Sequence, residues 1–261
     1  MTKKISVVMS VFNQERFLKE SILSILSQNF RNFEFLILND GSTDNSLMII
    51  KSFKDKRIKI FQNRQKKGLA RSLNYLITKA KGEYIARMDG DDISLPNRFK
   101  EQVGFLNQHK KIALAGSWAI IINNQGKTVG KIKYSQGYKD IRKDILNDNP
   151  FIHPSVMFRK NIFLKVGGYD ETLLYSQDYD LFLRLVCNYQ CVNIPKFLFK
   201  FRWGPDFSKQ KKQHLSALKI RLNAIKKHGY SKFEYLKVIK PALLYLIPAF
   251  VKSYYWSKKF R

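Results

Sequence analysis

From Ile5 to Met88 the chain alternates between short apolar runs of strand length and longer stretches with one apolar face. Ile5–Val11, Phe33–Leu38, Arg57–Phe61 and residues 83–88 read as strands, each short and rich in β-branched or aromatic residues. Between them, Phe17, Leu18, Ile22, Ile25 and Leu26 share one helical face of residues 15–28. Residues 44–53 continue as a second helix. Leu69, Leu73, Leu76, Ile77 and Ala80 mark a third. A β-α-β-α-β-α-β order predicts a mostly parallel sheet with helices on both faces, the Rossmann-like α/β class. Ligands of such sheets bind beyond the carboxyl ends of the strands. Three polar turns lie there: Phe12-Asn13, Asn39-Asp40-Gly41 and Asp89-Gly90-Asp91-Asp92. Neither the dinucleotide G-x-G-x-x-G nor the phosphate-loop G-x-x-x-x-G-K-[ST] pattern is present, so phosphates would need another anchor.

The last turn offers one. An apolar run stops abruptly in three carboxylates within four residues. Like charges this close repel unless compensated. A hard divalent cation, Mg²⁺ or Mn²⁺, takes carboxylate oxygens together with substrate phosphates. A solvated acidic turn would account for the cluster equally well in isolation; its place on a predicted ligand rim favours the metal.

Beyond residue 95, Pro96 is placed to open a helix reaching Gln108. Ile112–Ile122 reads as a strand turned into a hairpin by Asn123-Asn124-Gln125-Gly126. A short helix over Tyr138–Leu146 follows. Next come a loop and strand over His153–Arg159 and a helix over Asn161–Val166 stopped by Gly167-Gly168. Gln177-Asp178 precedes a helix with Leu181, Leu185 and Val186 inward, and strands follow near 191–194 and 197–202. Asp178 is also suited to capping that helix. Cys187 and Cys191 are spaced to share a helix face. Two thiols make neither a disulfide framework nor a four-ligand zinc site, so buried reduced cysteines in a cytosolic protein are expected.

The net charge of +28 is unevenly spread. Residues 1–205 hold 34 Lys and Arg against 18 Asp and Glu, whereas residues 206–261 hold 14 against 2. A lysine-rich composition alone would also raise the charge. A chain this basic is drawn to nucleic acid, anionic lipid or phosphorylated substrates. The 206–261 stretch first shows a helical pattern through Leu215, Leu218, Ile220, Leu222 and Ile225, then a Gly229-Tyr230 break. Residues 231–256 mix Leu, Ile, Tyr and Lys, interrupted by Pro241 and Pro248, with Lys252, Lys258, Lys259 and Arg261 flanking. That mixture suits a helix lying in a membrane interface, or one packed on the body of the protein. No run approaches the ~20 apolar residues that span a bilayer, and the N-terminal apolar segment is too short for a signal-peptide core.

In order and spacing these turns resemble the family 2 inverting glycosyltransferases of the GT-A fold, of the kind that build bacterial cell-surface polysaccharides. The resemblance covers residues 4 to about 208. It is carried by Ser6–Asn13, Asn39–Asp44, Asn63–Asn74, Gly82–Asp92 with its D-x-D signature, His153–Arg159, Gly167–Glu171 and Gln177–Arg184. It implies a GT-A domain over 1–205, with a nucleotide-sugar half (1–95) and an acceptor half (96–205), and a basic helical tail over 206–261. It implies transfer from a nucleoside diphosphate sugar, UDP-linked by family frequency, to a hydroxyl of a lipid-linked or polymer glycan. Asp178 matches the general base, with Asp180 as the second candidate. Asp91 and Asp89 match the metal-binding pair, and Asp92 is a further candidate ligand. Val11, Phe12, Asn13 and Asp40 match positions that hold base and ribose. Arg71 and Arg87 are expected to reach base or phosphate. Arg202 is expected in a closing loop that pairs a guanidinium with the diphosphate. The expected location is the cytoplasmic face of the cell membrane, in peripheral contact with anionic lipid.

Four positions depart from the family pattern: Ser10 for proline, Asn39 for aspartate, Gln177 for glutamate, and Gly204 where a histidine is frequent. A nucleic-acid-binding protein is disfavoured because no zinc-finger, basic-zipper or RNA-recognition signature is present. A nucleotidyltransferase is disfavoured because Val11–Glu15 is not a Gly-rich basic loop.

Overall fold

The computed structural model describes residues 4–204, 210–227, Tyr230 and Val238. Strand β1 (Ile5–Val11), helix α1 (Glu15–Leu26), β2 (Phe33–Asp40), α2 (Ser46–Ser52), β3 (Ile58–Asn63), α3 (Leu69–Lys79) and β4 (Tyr84–Arg87) realise the predicted alternation. Every residue of β1, β2 and β4 is buried, as a strand covered on both faces must be. Parallel registry sets Val11 beside Asn39 and Asp40 beside Asn63, so the polar turns share one rim.

The second half adds β5 (Ile93–Ser94), α4 (Arg98–Gln108), β6 (Ile112–Ile122), β7 (Thr128–Ile132) and α5 (Tyr138–Asp144). After a 3-10 turn at His153–Ser155 come β8 (Met157–Arg159), α6 (Lys160–Lys165), α7 (Gln177–Asn188), β9 (Gln190–Arg202) and α8 (Gln210–Lys227). The sheet order is β3-β2-β1-β4-β8-β6-β9-β5, with β7 on β6. Only β8, β7 and β5 run against the rest. This is a mixed, mostly parallel α/β sheet of the GT-A kind.

Several local expectations change. Cys187 and Cys191 do not share a helix, because α7 ends at Asn188 and Cys191 lies in β9. Both are free thiols. The two strands expected at 191–202 are one strand of 13 residues, accommodated along β6 by shifts in register. Pro96 lies just ahead of the helix, in a turn closed by Arg98 N donating to the Leu95 carbonyl at 3.0 Å, and Asn97 holds the N-cap position of α4 without a side-chain capping hydrogen bond. The two-residue β5 was too short to be read from sequence.

The halves at 1–95 and 96–205 share one sheet through β4 and β8. Each face has one core that draws on both. Val8, Leu36 and Leu73 pack with Phe158 and Leu185 on one face; Val7 and Phe35 pack with Phe99 and Phe199 on the other. Ile220, Ala224 and Ile225 of α8 join the first core, so the described part of the basic tail is built onto the domain. The Lys- and Tyr-rich stretch from 231 onwards, with Pro241 and Pro248, lies outside the described residues apart from Val238.

The start of β4 is held by a close backbone approach. Gly82 N donates to Ser6 Oγ at 2.8 Å, and Ser6 Oγ donates to Glu34 Oε1 at 2.6 Å. A Cβ at Gly82 would sit 2.4 Å from Ser6 N and 2.6 Å from the Ile5 carbonyl carbon, neither of which can rotate away. Gly82→Ala is therefore expected to lose about 2–3 kcal/mol of stability, seen as a lower urea midpoint with an unchanged m-value.

Candidate active site

The acidic turn is fixed on all sides. Ser21 Oγ of α1 donates to the Asp89 carbonyl at 2.7 Å. Gly90 passes so close to Gln14 that a Cβ would lie 2.4 Å from its Oε1. Beyond the turn, β5 pairs with β9, whose last residue returns to the cluster. Arg202 N donates to Asp92 Oδ1 at 2.7 Å. The Arg202 side chain donates to the Asp91 carbonyl, the Asn123 carbonyl and Glu20 Oε2, at 2.7, 2.8 and 2.7 Å, and stacks on Phe17. The expectation of Arg202 in a mobile loop pairing bidentately with phosphate is thus corrected. It ends a strand, is buried, and has its guanidinium nitrogens on protein acceptors. It clamps the acidic loop between α1 and the β6–β7 hairpin.

One carboxylate oxygen from each of Asp89, Asp91 and Asp92 can lie within 4.8 Å of the others. Burial, and then the Asp89 charge, push Asp91 up to about 6. Burial, Asp91 and Asp89 raise Asp92 well above the usual carboxylate range. Asp92 Oδ2 is enclosed without a hydrogen-bond partner. An all-oxygen donor set, mutual repulsion and an orphaned buried oxygen fit a hard divalent cation.

Two arginines lie behind the cluster. Arg87 is 1% exposed and forms an ion pair with Asp89. It was expected to reach base or phosphate; in this structure burial and the Asp89 ion pair engage it within the protein, with Nε left without a hydrogen-bond partner. Arg98 is fully buried and makes no ion pair among the described residues; it donates to the Arg87 carbonyl at 2.8 Å and to Gln102 Oε1 at 3.0 Å. Burial, with the neighbouring Arg87 charge, lowers its pKa to about 9, against the pull of Asp92.

Asp178 faces the same cluster from α7. Its carboxylate feels the charges of Arg87 and Asp89, and burial raises its pKa. Asn149 Nδ2 donates to its Oδ2 at 3.1 Å. It is the second residue of α7 and not the cap. Ser176 holds the cap position with a left-handed φ of 59°. Asp180, the alternative base, is taken up by Arg184 at 2.6 Å. His153 Nε2 and Tyr169 OH are 2.7 Å apart beside these groups. Burial and Arg87 hold His153 neutral, with its pKa well below the usual value.

The other rim carries the nucleoside-side candidates. Asp40 accepts from Asn63 Nδ2, Lys67 N and Gly68 N at 2.7, 2.9 and 2.9 Å, so it shapes the 63–68 loop. Gly41 (φ 73°) lies so close to this loop that a Cβ would be 2.7 Å from Lys66 N. Asn13, with φ 52°, exchanges hydrogen bonds with Ser42 and Thr43. Phe12 is half-buried with Lys66 Nζ 3.9 Å from its ring centroid, and Val11 ends β1 beneath it. Asn39 is buried with its Oδ1 unpartnered. Arg71, at the start of α3, is exposed and pairs with Glu171 at 3.0 Å. The structure thus brings Val11, Phe12, Asn13, Asp40, Asp89 and Asp91 to one rim. Asn149 and Arg98 carried no sequence signal, because each matters only through a partner distant in the chain.

The chain matches the model of glycosyl transferase family 2 over residues 6–167. It is 33% identical to EpsE of Bacillus subtilis (strain 168), covering 98% of this chain and 94% of the relative. It is 28% identical to the Escherichia coli UDP-Gal:alpha-D-GlcNAc-diphosphoundecaprenol beta-1,3-galactosyltransferase, over 100% of this chain and 98% of that one. S. aureus TarS in complex with UDP-GlcNAc superposes with a TM-score of 0.72 at 18% identity, covering 90% of this chain and 69% of that one. The Pyrobaculum calidifontis mannosyltransferase PcManGT, in complex with GDP-Man and Mn²⁺, gives 0.68 at 12% identity, covering 95% and 71%. With the family pattern running through both the acidic turn and the 153–167 segment, the chain belongs to glycosyl transferase family 2 and is a glycosyltransferase.

Proposed function

We propose that the chain moves a sugar, with inversion, from a nucleoside diphosphate sugar to a hydroxyl of a lipid-linked or polymer glycan. The observation that supports this reading is a triple-carboxylate loop at the carboxyl end of a parallel strand, with a separate, desolvated aspartate, Asp178, brought near it by helix α7. UDP is the favoured nucleotide, since TarS binds UDP-GlcNAc and the E. coli relative is named for UDP-Gal. The latter name also supports a diphosphopolyprenol acceptor.

Asp91 and Asp89 would hold Mn²⁺ or Mg²⁺, with Asp92 behind them. When bound, the cation supplies Lewis-acid stabilisation of the charge that develops on the diphosphate leaving group. Val11, Phe12, Asn13 and the Asp40-braced loop bind base and ribose. Asp178 Oδ takes the proton of the acceptor hydroxyl as its oxygen attacks the anomeric carbon from the face opposite the leaving group. Asn149 holds that carboxylate in place. His153, kept neutral, orients the Tyr169 hydroxyl on the acceptor side. Among the described residues no helix is long and apolar enough to cross a membrane.

Thermal shift against a panel of UDP-, GDP- and dTDP-sugars, with and without Mn²⁺, tests the reading. At a hundredfold excess over Kd a bound ligand contributes about 2.7 kcal/mol, or roughly 5–10 °C in Tm for a chain of this size. A shift with one nucleotide class only in the presence of Mn²⁺ is expected. No shift with any donor would overturn the proposal.

A further inference from the structure

The surface next to the proposed base combines apolar exposure with unbalanced charge. Leu174 is 85% exposed in the loop that leads from α6 into α7. Its neighbours are tied to α8. Ser216 Oγ donates to the Tyr175 carbonyl at 2.8 Å, and Ser176 Oγ donates to the Gln213 carbonyl at 3.2 Å. Leu174 therefore lies beside the first turns of α8, only four residues before Asp178.

Helix α8 buries Ile220, Ala224 and Ile225 against the core and turns Lys212, Lys219 and Lys226 to solvent. A seven-residue spacing is about two helical turns, so the three ammonium groups form one stripe, roughly 10 Å apart. Leu215, 39% exposed, and Asn223 lie along it. The helix contains no Asp or Glu, and none of the three lysines is ion-paired among the described residues. A merely soluble helix face commonly interleaves charges of both signs; this one does not.

We propose that the Leu174 loop and the α8 lysine stripe dock together on an anionic phospholipid bilayer. The lysines meet headgroup phosphates, and Leu174 and Leu215 enter the boundary between headgroup and acyl chain. Nucleic acid would satisfy the lysines but leave the exposed leucines without a role. The inference rests on the proposed lipid-linked acceptor and adds how it is reached. Docking by this face brings the Asp178 side of the proposed site to the membrane, where a polyprenol-linked glycan is anchored.

The test is co-sedimentation of the full chain with phosphatidylcholine vesicles, with and without phosphatidylglycerol. The wild type is expected to bind only the anionic vesicles. Each basic residue near such a surface is worth a factor of about five, so K212Q/K219Q/K226Q should lower affinity on the order of a hundredfold. Leu174→Ser should lower it several-fold. The charge-matched control K100Q/K110Q/K111Q, on exposed positions in and after α4 against the opposite core, should stay within about twofold. All these side chains are solvent-facing, and unchanged Tm values confirm that the variants fold. Equal losses in both triple variants, or no loss in the α8 variant, would overturn the proposal. Nucleotide-sugar thermal shift on the same variants separates the two readings: vesicle binding lost with donor binding kept marks the docking face, whereas no donor shift in the wild type counts against the transferase chemistry alone.

Discussion

Asp178→Asn is expected to lower kcat/KM about a thousandfold while nucleotide-sugar affinity stays within about twofold, since general-base catalysis contributes factors of about 10²–10⁴. The substitution keeps size and the hydrogen bond to Asn149 but cannot take a proton. Transfer assays with the donor identified by thermal shift, together with donor titration, make the measurement. Turnover near wild type would exclude Asp178 as the base. The pH profile adds a second readout. The base works deprotonated, and burial raises Asp178 above the ordinary carboxylate value. The acid limb of kcat/KM should therefore lie above that ordinary value, with activity lost as pH falls through it. Asp178→Asn should lose this limb from its residual rate. Asn149→Ala, by freeing the carboxylate, should shift the limb and reduce turnover far less than Asp178→Asn.

The second large effect concerns the acidic loop. Asp91→Asn is expected to abolish the Mn²⁺-dependent rise in Tm and with it the nucleotide response. The sign with pH follows from the raised carboxylates. Asp91 is pushed up to about 6 in the folded chain from near 3.8 in the unfolded one, and burial with the Asp91 and Asp89 charges also raises Asp92. Both therefore penalise the metal-free fold at neutral pH, and the penalty is relieved as pH falls through the folded value. A cation does at neutral pH what protons do in acid. Mn²⁺ should raise Tm by about 5–10 °C at about pH 7.5 and by little at about pH 5. Asp92→Asn should raise the metal-free Tm at neutral pH. Differential scanning calorimetry across that range decides it. A Mn²⁺ response independent of pH, or one that survives Asp91→Asn, would remove the loop as the cation site.

The acidic loop was legible in the sequence because a mainly apolar strand that stops in three carboxylates on the rim of a mostly parallel sheet has few alternative readings. The strands and helices before it were legible because their apolar periods differ. Arg202 was misread for a physical reason. Its sequence neighbours Trp203 and Gly204 suggest a loop, but its surroundings are set by Asp91, Asp92, Glu20 and Asn123, up to 182 residues away in the chain. Arg98 is similar: four residues from Gln102, it looks like an ordinary surface helix residue, yet it is enclosed beneath the cluster. Cys187 and Cys191 were set on one helix face by spacing alone, although the strand read near 191–194 is where Cys191 in fact lies.

The reversed strand β8 has a consequence for how this protein can be divided. Tyr84–Arg87 pairs with β1 on one side and with Met157–Arg159 on the other. Severing the chain after residue 95 would strip the second partner and leave a strand of four buried residues as an open hydrogen-bonding edge, the kind that recruits other chains into aggregates. Residues 1–95 are therefore no transplantable module. Any chimera built on residues 1–95 must carry the three residues of β8 along with them, and can exchange only what lies outside.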